Sequence, residues 1–163
     1  MNRPPAETIF GTIEKLRKNI KDVALRTTVM TGFPGEDDKL FKKLLKDIKL
    51  LQFDWLGCFV YQKGNWTSAY KLKNQVAEKV KKERYDKILL AQQGIVKKKN
   101  AARRGNIYDV IQDSTYSGQT EFQAPEDDGR IYFSNPMLIN SAEPVRVRVE
   151  SVKDVYALEG EII

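Results

Sequence analysis

Three groups of side chains in this 163-residue chain could do chemistry. In the first, Arg26, Thr28 and Met30 alternate with Thr27, Val29 and Thr31. Alternate residues of a strand share a face, so a cation, a hydroxyl and a thioether fall in line. If that face turns inward, Arg26 needs an anion, either a structural carboxylate or a bound ligand. The second group is Lys97-Lys98-Lys99-Asn100-Ala101-Ala102-Arg103-Arg104, followed by Gly105. Cations suit a helix C-terminus and glycine suits the position after it; the same cluster could also hold phosphate. The third is Glu126-Asp127-Asp128 ahead of Gly129, a turn that either solubilises or attracts a basic partner.

Absent residues narrow the chemistry further. There is no histidine and one cysteine, Cys58. That excludes an internal disulfide and leaves too few ligands for zinc or a self-contained iron–sulfur cluster, so no metal site is expected. A histidine-based triad is excluded too, and no catalytic residue is assigned. Cys58 sits inside an apolar run and reads as a small core residue. No apolar stretch approaches the roughly 18 residues of a membrane span. The opening MNRPPAETIF lacks the pattern of a signal peptide, so the expected location is cytoplasmic.

Charge divides the chain. Residues 1–105 hold 24 Lys and Arg against 11 Asp and Glu; residues 106–163 hold 4 against 11, giving +13 and −7. Two modules with different partners are expected.

Apolar spacing then supplies the elements. Ile9, Ile13, Leu16 and Ile20 mark a helix over 6–20, entered through Pro4 and Pro5. The β-branched run 23–31 predicts a strand, and Gly32-Phe33-Pro34-Gly35 a turn. A second helix follows over 37–51 and a second strand over 53–61. This alternation suggests a parallel sheet or barrel. Leu25, Val29, Leu56 and Val60 would lie under the helices, leaving Arg26 and Tyr61 inward. Two strands make a poor parallel sheet, so the module looks like a piece of something larger. Residues 62–74 form a polar connection, and 75–104 a long helix in which Val76, Val80, Ile88, Ala91 and Ile95 recur. Beyond it, 107–112, 130–134, 145–150 and 155–163 predict strands, with turns at Ser117-Gly118, Asp128-Gly129, Asn135-Pro136 and Glu143-Pro144. About five short strands suit a small antiparallel OB-like barrel.

Several of these segments resemble one family. Arg26-Thr27-Thr28-Val29-Met30-Thr31-Gly32-Phe33-Pro34-Gly35-Glu36 is similar to the RTT…GFPGE segment of the radical-SAM methylthiotransferases. Met1-Asn2-Arg3, Phe53-Asp54-Trp55-Leu56-Gly57, Asn74-Gln75-Val76 and Ala124-Pro125-Glu126-Asp127-Asp128-Gly129 resemble further segments, the last lying in the TRAM domain. The combination resembles the RimO type, which methylthiolates an aspartate of the small-subunit ribosomal protein S-twelve.

The resemblance implies a fold of α/β plus all-β class: 1–74 as the C-terminal part of a TIM-like (β/α) barrel, 75–105 as a linker helix and 106–163 as a TRAM-like β-barrel. It implies a methylthiotransferase that uses S-adenosylmethionine and two [4Fe-4S] clusters, whose ligand segments are not among the residues here. This chain alone is therefore expected to be inactive and to bind none of them. Met30 and Gly32 fall where the superfamily packs an apolar side chain on adenine, and Phe59 and Tyr61 lie on the strand that flanks it. Arg26 would face the cofactor's carboxylate or the target aspartate, and Thr28, also assigned to the cofactor site, stands where the superfamily segment has its first glycine. The barrel's acids, with Glu126, Asp127 and Asp128, would meet the basic ribosomal protein, and Lys97–Arg104 nearby ribosomal RNA. The alternatives are a fragment of the transfer RNA branch, or a non-catalytic module that binds RNA or a ribosomal protein. Two departures stand out. The family's YSxEEGT is Tyr61-Gln62-Lys63-Gly64-Asn65-Trp66-Thr67 here, and Gln119 replaces a usual Arg.

Overall fold

In the computed structural model, residues 6–124, 128–136 and 143–163 are described. The chain forms two compact units that divide between Gln92 and Gln93.

The first unit runs helix α1 (Ala6–Asn19), strand β1 (Arg26–Thr31), helix α2 (Asp38–Leu51), strand β2 (Trp55–Val60), and the start of helix α3 (Glu78–Ala102). Asp37 caps α2, its carboxylate accepting from the Leu40 N–H at 2.7 Å. Gln52 ends α2 in the left-handed region, and Arg17 of α1 donates to the terminal Leu51 and Gln52 carbonyls. β1 and β2 pair in parallel, Arg26 opposite Trp55 through Thr31 opposite Val60. Ile13, Leu25, Leu51 and Phe53 form the core on one side, joined by Phe10, Leu16, Val23 and Leu56. Buried Asp54 pins the strand starts: its carboxylate accepts from the Leu25 N–H at 2.9 Å, and its own N–H donates to the Leu25 carbonyl.

In the second unit, α3 ends at Ala102 and Gly105 adopts φ +84, as a helix-ending glycine does. The strands are β3 (Ile107–Ser114), β4 (Ser117–Thr120), β5 (Ile131–Phe133), β6 (Val145–Val152) and β7 (Leu158–Ile162). They close in the order β3-β4-β5-β7-β6. Val110, Ile131, Val147, Val149 and Leu158 fill the barrel with Phe122, Phe133 and Val145.

Several expectations need correcting. Ser117-Gly118, expected as a turn, is the start of β4. A Cβ on Gly118 would stand 2.5 Å from the Ile111 carbonyl oxygen, so only glycine permits this strand approach. The barrel is not wholly antiparallel, because β5 and β7 run parallel. The long helix begins at Glu78, leaving Val76 outside it, and the connection 62–74 contains a 3-10 turn at Ser68–Lys71. The last strand begins at Leu158 rather than 155.

Candidate functional site

One face of the β1–β2 pair is packed and the other is open. On the open face Arg26, Thr28, Gly57, Met30 and Phe59 are exposed. Met30 and Phe59 are register partners, 49% and 63% exposed, so two large apolar side chains stand together in solvent. The Arg26 guanidinium lies 6.0 Å over the Trp55 ring. Alternation therefore brings together four of the six residues assigned from sequence: Arg26, Thr28, Met30 and Phe59.

Gly32 and Tyr61 are placed differently. Both are buried just beyond the strand ends, under Lys81 of α3. Gly32 has φ +78, and a Cβ there would collide with the Lys81 side-chain stem. Tyr61 meets Phe33 edge-on at 5.2 Å, with the Lys81 ammonium 5.2 Å over its ring. Its hydroxyl is buried without a hydrogen-bond partner among the described residues.

The turn after β1 is tied down from the same helix. The Glu36 carboxylate accepts from the Thr31 hydroxyl and the Gly32 N–H, both at 3.0 Å, and from Arg84 at 2.8 Å. Arg84 also donates to the Glu36 carbonyl and to Asp38, and its guanidinium lies over Phe41. The hydrogen bond from Arg84 holds the Asp38 carboxyl below its usual range. Lys81, only 2% exposed, donates to the Tyr61 carbonyl at 3.0 Å and to Glu78 at 2.7 Å. Gln92 donates to the Phe53 carbonyl. Lys81, Arg84, Ile88 and Gln92 thus form a buried helical stripe, largely polar. The sequence reading missed Lys81 and Arg84, since Lys and Arg are almost never buried unless paired. Their i, i+3 spacing, with Ile88 four residues further on, was the available signal.

Cys58 is half-buried on β2, and burial, aided by the Glu36 charge, pushes its thiol up to about 11. Among the described residues no group of His, Cys, Asp and Glu could hold a metal ion. No helix among them is long and apolar enough to cross a membrane.

The two charged clusters are partly structural. Lys97, Lys98 and Arg104 are exposed, but the Arg103 guanidinium stacks 4.0 Å over Phe122 and donates to Asn100. Glu126 and Asp127 lie outside the described residues. Asp128 accepts from the Ala124 N–H at 2.6 Å. A Cβ on Gly129 would collide with the Tyr156 carbonyl, so this position demands glycine.

No protein-family model matches the chain. Curated relatives are methylthiotransferases. One from Acetivibrio thermocellus is 36% identical over 99% of this chain and 37% of its own length. One from Carboxydothermus hydrogenoformans is 37% identical over 97% of this chain and 37% of its own length. One from Syntrophomonas wolfei is 40% identical over 91% and 35%. All three are named ribosomal protein uS12 methylthiotransferase RimO. The chain is homologous to a segment of the RimO family, and spans a little over a third of the length of these relatives.

Proposed function

We propose that this chain carries part of the wall of a radical-SAM barrel in a RimO-type methylthiotransferase, with a TRAM-like barrel after it. In the assigned division, 1–74 contribute the wall, 75–105 the linker and 106–163 the docking domain. The observation that carries this is the parallel pair itself: one face is packed, and the other leaves Met30 and Phe59 in solvent. A parallel pair is ordinarily covered on both faces.

The fit of the implied cofactors differs. The residues present suit the adenosyl part of S-adenosylmethionine: Met30 and Phe59 offer an apolar floor, and Arg26 and Thr28 polar groups beside it. When bound in a radical-SAM protein, that cofactor supplies hydrogen abstraction from an unactivated carbon. An iron–sulfur cluster does not fit, because the lone thiol, on Cys58, is half-buried and held protonated. The chain by itself is therefore assigned a positioning role, binding S-adenosylmethionine weakly or not at all. Gly32 and Tyr61 act behind the floor, fixing where β1 and β2 end.

The partner of this reading is the basic ribosomal protein uS12, drawn by the −7 charge of residues 106–163, in the cytoplasm. Glu126, Asp127 and Asp128 are assigned to that contact. Lys97, Lys98 and Arg104 are assigned to nearby ribosomal RNA. The test exchanges this chain for the matching segment of the Acetivibrio thermocellus relative and measures methylthiolation of uS12 by mass spectrometry. The chimera is expected to modify uS12, and Met30→Asp within it to abolish the modification. A folded chimera with no activity would reject the assignment.

A further inference from the structure

We propose that residues 62–74 form a second binding surface, on which single-stranded nucleic acid stacks. Trp66 is 86% exposed, although tryptophan is among the most buried side chains on average. Its ring nonetheless rests against the backbone. It lies so close over Gly64 that a Cβ there would stand 2.8 Å from the indole. The turn beneath is closed by Thr67, whose N–H and hydroxyl both donate to the Gly64 carbonyl, at 3.0 and 2.8 Å. The 3-10 turn Ser68–Lys71 comes next, its Tyr70 N–H donating to the Thr67 carbonyl at 3.1 Å. Two aromatic side chains four residues apart are thus mounted on one hydrogen-bonded knot.

Charge gives the second observation. Between Asp54 and Glu78 there is no acid, and there are three lysines, Lys63, Lys71 and Lys73, all exposed. Lys63 stands 4.6 Å from the Tyr70 ring centroid, so cation and ring already share a surface. The acids bordering the far end of the segment are engaged elsewhere: Glu36 accepts from Arg84, and Asp37 caps α2. Exposed aromatic faces interleaved with cations are the pattern by which proteins hold single strands, bases on the rings and phosphates on the cations. An acidic peptide would use the lysines and leave the rings idle. Nothing in this surface depends on the assignment made for the open sheet face.

The experiment titrates the full chain into a fluorescein-labelled oligouridine of about 12 nucleotides, a length within single-strand site sizes. Anisotropy is followed at about 50 and 200 mM salt. Trp66→Ala is expected to weaken binding at least about tenfold, Trp66→Phe to restore most of it and Trp66→Leu not to, because stacking requires a π face. The triple variant Lys63→Gln, Lys71→Gln and Lys73→Gln is expected to flatten the salt dependence by about two log units per log unit, at about 0.7 for each phosphate no longer neutralised. Neutralising Lys97, Lys98 and Arg104 should leave the Trp66 effect intact; its disappearance would move the site to that cluster and overturn the proposal. Equal binding by Trp66→Ala and the parent chain would also overturn it. So would polyglutamate competing as well as unlabelled RNA, or anionic vesicles binding in place of RNA.

Discussion

The two units solve the same problem differently. The barrel closes its sheet on itself, so each strand has two neighbours and the apolar side chains meet inside. The α/β unit has two strands, one covered face and one open face. Its cohesion relies on polar side chains from α3, with Lys81 and Arg84 buried where the barrel buries Val147 and Leu158. The barrel's buried polar side chains, Ser117, Thr120 and Gln123, bond to near neighbours in the chain, whereas the open sheet has its loops fixed by hydrogen bonds from a helix distant in sequence.

Breaking each unit at its own joint tests this contrast. The largest effect is expected from Arg84→Met, which removes the counter-charge of the Glu36 carboxylate; losing one partner of a buried pair costs about 3–5 kcal/mol. Hydrogen exchange should quicken over residues 6–92 and stay slow in the barrel strands, and equal quickening in both would erase the distinction. Leu158→Ala should cost about 2–5 kcal/mol through the cavity it leaves, read as reduced protection in β3 to β7.

A pH experiment comes next in size. Because burial raises Cys58 to about 11, the folded chain keeps the thiol protonated where the unfolded chain loses its proton. Stability should then fall as pH rises from about 8.5, the usual thiol value, toward 11. Reaction with a disulfide reagent at neutral pH should be far slower in the native chain than in denaturant. Fast native reaction would mean that β2 is open at Cys58. The smallest effect sharpens the contrast: Met30→Asp on the open face should change stability by less than about 0.5 kcal/mol, as an exposed substitution does. A loss measured by thermal melting well above that would show that something covers the face in solution.

Much of this was legible because apolar periodicity reports burial directly. Ile13 and Leu16 announced α1, and Val145, Val147 and Val149 announced β6. The open face was readable from the alternation of Arg26, Thr28 and Met30. Tyr61 departs from that exposed alternation because β2 ends at Val60 and Lys81 of α3 covers the next residue. β4 escaped because Ser117-Gly118-Gln119-Thr120 has turn composition; a tight barrel wants the small residue that a turn also wants. The buried stripe of α3 escaped for a related reason. Lys81, Arg84 and Gln92 look like a solvated face until a structure shows the carbonyls and carboxylates waiting for them.

The order of strands also bears on when the second unit can exist. β7 lies between β5 and β6, parallel to one and antiparallel to the other, and is the last strand made. Until residues 158–162 leave the ribosome, β5 and β6 each expose a bare edge, and Val147 and Val149 lack the strand that seals them. The α/β unit, whose strands are adjacent in the chain, can pair while synthesis continues at about 5–20 residues per second. The barrel must wait for its final strand. During that interval it is the more aggregation-prone half of the molecule, although it is the better closed once finished.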